Sequence, residues 1–91
     1  MSAELSKRKV YIPVNADFDA AGNVLPRSFM WEDGRVYEID KLLGVQPAAA
    51  QKSGGQGTRY TIRVMNQTRY IYFEHNSEYG KASLGRWFIE R

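Results

Sequence analysis

The chain has no cysteine. That inventory alone excludes disulfides, thiolate catalysis and cysteine-based zinc sites, and nothing marks an oxidising compartment. Histidine is nearly absent too: His75 stands alone, with no companion imidazole for a metal site. No apolar run approaches the length of a membrane span. Residues 1–9 lack the apolar stretch that a signal peptide needs. These absences lead to the expectation of a cytoplasmic protein with no membrane partner, no metal and no cofactor. Helical periodicity is also missing, since no window of eleven residues carries one.

What is present is a globular composition on a short chain. The 91 residues are 43% hydrophobic and 25% charged, too apolar for disorder and too few for a second domain. The net charge is +3, unevenly spread. Residues 1–45 hold six basic and seven acidic side chains, whereas residues 46–91 hold seven and three. The second half is the cationic half, which suits an anionic partner without requiring one.

Period-two alternation dominates. Residues 1–6 are polar and unpatterned and are expected to fray, leaving a single domain over 7–91. Val10, Ile12 and Val14 alternate with Tyr11 and Pro13, and Pro13 argues for an edge strand. A turn is expected at Ala20-Ala21-Gly22-Asn23, with Pro26 delaying the next strand. Phe29 and Trp31 alternate up to Asp33-Gly34, a type I′ hairpin signal. Tyr37 and Ile39 share a face of the following strand, and Leu42-Leu43 before Gly44 predicts a bulge. Residues 45–50 extend that strand or make a short helical turn. Residues 52–57 form the Gly-rich connection. Tyr60, Ile62 and Val64 point inward, opposite Arg59, Thr61 and Arg63. Asn66-Gln67 is read as a tight turn, and 68–74 as a strand with Tyr70 and Tyr72 on one side and Ile71 and Phe73 on the other. A polar loop over 76–83 leads to a last strand in which Trp87 and Ile89 oppose Phe88 and Glu90. The expected fold is all-β: about six antiparallel strands in a meander, curled into a small barrel or half-barrel that covers the apolar face.

Catalytic and phosphate-loop motifs fail when tested. Lys52-Ser53 precedes the glycines and a strand follows, the reverse of the phosphate-loop order; Gly80-Lys81-Ala82 lacks the required spacing. The Gly-rich segment reads as a hairpin connection, with an anion-contacting loop helped by Lys52 and Arg59 as the alternative. Asp17-Phe18-Asp19 lacks the downstream ligands of a calcium loop. Glu38 and Asp40 share a strand face but read as solvated surface charge. His75 with Ser77 or Ser83 has no nucleophile elbow. No enzyme is expected.

Arginine and aromatic content remains. Tyr60, Tyr70, Tyr72, Trp87 and Phe88 are interleaved with Arg59, Arg63, Arg69 and Arg86. Planar rings beside guanidinium groups suit single-stranded nucleic acid, the rings stacking on bases and the cations meeting phosphates. Strands favour aromatics anyway, and arginine stems cover apolar sheet surface. Alternation turns Arg63 outward. Tyr70 and Tyr72 flank it only if they, rather than Ile71 and Phe73, are the outward pair, and the sequence leaves that open.

Two stretches carry a resemblance. The segment running Phe29-Met30-Trp31-Glu32-Asp33-Gly34-Arg35-Val36-Tyr37-Glu38-Ile39-Asp40-Lys41-Leu42-Leu43 resembles a pattern in a family of small uncharacterised β-rich proteins of Gram-positive bacteria. Gly54-Gly55-Gln56-Gly57-Thr58-Arg59-Tyr60-Thr61-Ile62-Arg63-Val64 and the closing Arg86-Trp87-Phe88-Ile89-Glu90 fit the same pattern, so the likeness spans most of 9–91. It implies a β-rich single domain and brings no activity. The hairpin of Trp31, Tyr37 and Ile39 is also faintly similar to small domains that accompany translesion DNA polymerases, which points toward nucleic acid and carries no site residue across.

The resulting expectation is a non-catalytic module binding single-stranded nucleic acid or another polyanion through Lys52, Arg59, Arg63, Arg69, Tyr70 and Tyr72. One alternative is a protein-interaction or self-associating module, suggested by the edge-like first strand and the exposed aromatics. A third is a small-molecule binder or small enzyme with a barrel mouth lined by His75, Glu38 or Tyr37.

Overall fold

Tyr60, Ile62 and Val64 alternate with polar residues on one strand, and Ile71 and Phe73 do so on the next. Paired across a tight turn, they supply five of the buried core side chains, Ile62 and Ile71 being almost wholly covered. The computed structural model describes residues 8–49, 56–75 and 85–91. Among these it has eight strands and no helix: β1 (Lys9–Tyr11), β2 (Val14–Phe18), β3 (Val24–Met30), β4 (Val36–Glu38), β5 (Lys41–Ala49), β6 (Gln56–Val64), β7 (Gln67–His75) and β8 (Gly85–Glu90). They form two antiparallel sheets, a five-stranded one in the order β1-β8-β7-β6-β5 and a three-stranded one in the order β2-β3-β4. No helix is long and apolar enough to cross a membrane among the described residues.

The all-β expectation holds, and the barrel does not. Neither sheet closes on itself. The apolar face of the large sheet is covered by the small one, with Val14, Phe29, Trp31, Tyr37 and Ile39 packed against the core. The buried Tyr60 hydroxyl donates to the Val24 carbonyl at 2.7 Å and ties the layers together. Burial also raises the Tyr60 phenol above its ordinary pKa.

Two corners turn about six expected strands into eight. Ile12 N–H donates to the Trp87 carbonyl in the large sheet, while the neighbouring Pro13 carbonyl accepts from Met30 in the small one. Ile39 N–H donates to Arg27 in the small sheet, and Asp40 N–H donates to Arg63 in the large one. Consecutive residues thus bond to different layers, and each run that alternation reads as one strand is divided between two sheets.

Local corrections follow from the same bonding. Pro26 lies inside β3, buried, rather than ahead of it. It faces Ala16 beside a bulge, and β4 pairs only with residues 28–30, so its missing N–H costs no ladder bond. At Asp33-Gly34 only Gly34 has a positive φ, +86°. Gly34 N–H donates to Trp31 and Trp31 N–H to Arg35, making a three-residue loop that ends on a left-handed glycine, not a type I′ turn. The turn with two positive φ values is Met65 and Asn66, at 50° and 64°. The bulge after Leu42 is present, with Leu43 as the extra residue, and β5 continues through Ala49. The expected fraying of 1–6, most of the Gly-rich segment and the 76–83 loop lie outside the described residues.

Candidate functional site

The β6–β7 register decides which side chains share a face. Arg59 pairs with Tyr72, Thr61 with Tyr70 and Arg63 with Thr68, so all six emerge on the outer side of the large sheet. Tyr60 pairs with Ile71 and faces the core. Tyr70 and Tyr72 are therefore the outward pair. On β5, Lys41 pairs with Arg63 and Gln46 with Arg59. On β8 and β1, Phe88 pairs with Tyr72 and Tyr11 with Phe88. One cross-strand row thus runs Gln46, Arg59, Tyr72, Phe88, Tyr11.

The row is tightly built. Tyr72 stacks on Phe88 with ring centroids 4.9 Å apart and planes 4° off parallel. Tyr11 meets Phe88 edge-on at 5.8 Å. Lys9 Nζ lies 4.8 Å over Phe88, and the Arg86 guanidinium lies 4.1 Å over Tyr11. Glu74 gathers this end: its Oε1 accepts from Tyr11 at 2.9 Å and from Lys9 at 3.2 Å, and its Oε2 stands 3.5 Å from Arg86. Burial works to raise the Glu74 carboxyl, but those three partners outweigh it and hold the pKa below the ordinary value. Both cations here share one carboxylate.

The other end differs. The Arg59 guanidinium lies 4.7 Å over the Tyr70 ring and donates to the Gln46 side-chain carbonyl. Its Nε is buried without a partner. Among the described residues the ion pairs engage Lys9, Arg27, Arg35, Arg86 and Arg91, leaving Arg8, Lys41, Arg59, Arg63 and Arg69 outside them; of these five, Lys41, Arg59 and Arg63 share the outer face. Lys41 and Arg63 stand opposite each other as like charges. Tyr70 is 48% exposed. The Tyr72 phenol has a raised pKa, first through burial and then through the Glu90 carboxylate, with Arg59 acting in the opposite sense.

Of the residues proposed from sequence, Arg59, Arg63, Tyr70 and Tyr72 come together. Arg69 does not: it pairs with Ile62, points to the core side and donates to Gln67. Lys52 lies outside the described residues. Alternation had already set Phe88 and Tyr11 opposite their apolar neighbours, but nothing in the sequence put them beside Tyr72. Lys41 was missed because its strand partner was unknown. The barrel mouth of the third reading does not form, and of its three residues only Tyr37 lines a cleft. Tyr37 faces the core, Glu38 is exposed on β4 and paired with Ser28, and His75 is exposed beside Thr58 at 3.3 Å. No cluster of three metal-ligating side chains occurs among the described residues.

A cleft of ≈ 590 Å³ adjoins the unpaired end, lined by Phe29, Trp31 and Tyr37 of the small sheet and by Tyr70, Ile89 and Glu90 of the large one. It lies where β7 and β8 part. Their ladder ends at Tyr72 with Phe88, and the next two pairs in that register, Ile71 with Ile89 and Tyr70 with Glu90, are not formed.

No family model, no curated protein and no solved structure matches the chain.

Proposed function

We propose that the chain is a non-catalytic binding module whose outer sheet face takes single-stranded nucleic acid. The observation that carries this reading is the Arg59 guanidinium, held over the half-exposed Tyr70 ring and in no ion pair with a carboxylate among the described residues. An open ring offers a stacking surface for a base, and the adjoining cation meets the phosphate. Arg63 and Lys41 extend the positive end. Bases within a duplex are not free to stack on Tyr70, so the single strand is the preferred form.

The test is a salt titration of a labelled single-stranded oligonucleotide, read by fluorescence anisotropy. Three phosphate contacts give a log–log slope of about −2. A matched duplex binds more weakly, and Arg59→Ala weakens the single strand. Absence of binding at low salt ends the reading.

One observation favours self-association instead. The outer edge of β5 pairs with no strand among the described residues, and Leu42, Leu43 and Val45 along it are 37%, 44% and 51% exposed. A bare apolar edge is a template for a second copy, although the Leu43 bulge and Pro47 blunt it. Sedimentation separates the two readings: a mass that rises with protein concentration, insensitive to salt and to oligonucleotide, makes self-association the better account.

A further inference from the structure

The two-residue turn makes Val64 and Gln67 a hydrogen-bonded pair, and alternation along the ladder then directs the peptide groups of Thr68 and Tyr70 away from β6. On β8, Trp87 accepts from Ile12, and Arg91 exchanges both bonds with Arg8. Residues 87, 89 and 91 therefore bond toward β1, and the peptide groups of Phe88 and Glu90 face β7. Phe88 meets Tyr72, but Glu90 and Tyr70 stay apart. The cleft thus has free backbone donors and acceptors on both walls and half-buried rings, Phe29, Trp31 and Tyr37, beneath it.

The shape selects among occupants. An added β-strand needs about 4.8 Å to each wall along its whole length. This gap narrows to a vertex at Tyr72 and Phe88, and on β7 only Thr68 and Tyr70 offer unpaired peptide groups. A wedge suits a small flat group with an apolar face and a polar edge. Tyr70 lines the cleft and is half exposed on the face proposed for the strand. From this geometry we infer that the splay between β7 and β8 is a base slot: one nucleobase of the bound strand turns inward, lies against Trp31 and Tyr37, and hydrogen-bonds through its edge to the free peptide groups of Tyr70 and Glu90. The inference rests on the proposed nucleic-acid reading and adds base preference to it. Stacking on Tyr70 tolerates any base, whereas fixed backbone groups at a base edge do not.

Short single-stranded homopolymers of each base test it. The affinities are expected to span at least about tenfold between best and worst base, and Trp31→Ala to compress that span to roughly twofold while the salt slope stays unchanged. Amide chemical shifts supply the second measurement, independent of whether Trp31→Ala folds: in the wild-type chain the best homopolymer moves the amides of Thr68, Tyr70 and Glu90. Equal affinity for all four bases overturns the slot, as do shifts confined to β5 and β6; in either case the outer-face reading survives. No binding of any homopolymer overturns both.

Discussion

Arg59 is the residue on which the outer face turns, and its position shows how far a sequence can be read. Alternation along β6 places Arg59 and Arg63 outward, and the structure agrees. The sequence signal at Asn66-Gln67 puts the turn one residue late, which would pair Met65 with Thr68 and Arg63 with Tyr70. With Met65 and Asn66 as the turn, the register moves by two, Arg63 faces Thr68, and Arg59 takes the place beside Tyr72 and under Tyr70's partner row. The faces were legible because side-chain alternation is a property of one strand; the neighbours were not, because register is a property of two. The pair assignments carry distinct expectations. Tyr70→Ala is expected to weaken oligonucleotide binding by roughly 5- to 150-fold, the range of about 1–3 kcal/mol for a lost base–aromatic stack, with Tyr70→Phe close to wild type. Arg63→Ala is expected to reduce the salt slope by about 0.7 and to weaken all sequences alike. Anisotropy titrations at several salt concentrations measure both.

At the scale of the element, the β6–β7 hairpin is closed by an unfavourable pair of residues. A type I′ turn needs positive φ at both central positions, and Met65 is an unbranched but bulky side chain in that region, 68% exposed. Asp40 supports the turn by accepting from Met65 N–H at 3.3 Å. Replacing the two residues with Asn-Gly is expected to stabilise the fold by about 1 kcal/mol, raising Tm by roughly 4–8 °C in a thermal melt. At the far end of β7 the reverse holds. A Cβ on Gly85 would lie 2.3 Å from the Glu74 carbonyl oxygen and 2.7 Å from the Phe73 ring. Gly85→Ala is expected to cost about 1–3 kcal/mol, seen as a lower denaturant midpoint with an unchanged slope. Neither feature announces itself in the sequence. The hairpin signal that does, Asp33-Gly34, marks a real turn of a different type. The corners at residues 12–13 and 39–40 keep the hydrophobic alternation intact while the backbone changes partners, which is why two predicted strands became four.

Across the whole molecule, Glu74 joins β7 to both strands on its far side, through Lys9 and Tyr11 of β1 and Arg86 of β8. Its pKa lies below the ordinary carboxylate value because those partners outweigh the burial that opposes them. Asp19 is shifted the same way, first by the Asn23 side chain and then by the backbone of the same turn. A carboxyl depressed on folding binds its proton less readily in the native state. Its contribution to stability is therefore complete above the unfolded-state pKa and drains away as pH falls through the folded one. The chain is expected to lose stability through the acidic carboxylate range, and Glu74→Gln to remove part of that loss while lowering stability at neutral pH. The same substitution has the opposite consequence for binding. Glu74 is the carboxylate that pairs with both Lys9 and Arg86 on the outer face, so its removal raises the charge there by one and releases two cations beside Tyr11 and Phe88. If the strand runs along the whole row from Gln46 to Tyr11, Glu74→Gln tightens oligonucleotide binding at low salt and steepens the salt slope by up to about 1.4. If the strand occupies only the Arg59 and Tyr70 end, stability falls and the slope stays where it was. Denaturation and anisotropy on this one variant thus measure how much of the face the proposed nucleic acid would cover, because the charge that holds the strands of the sheet together is the charge that would compete with phosphate.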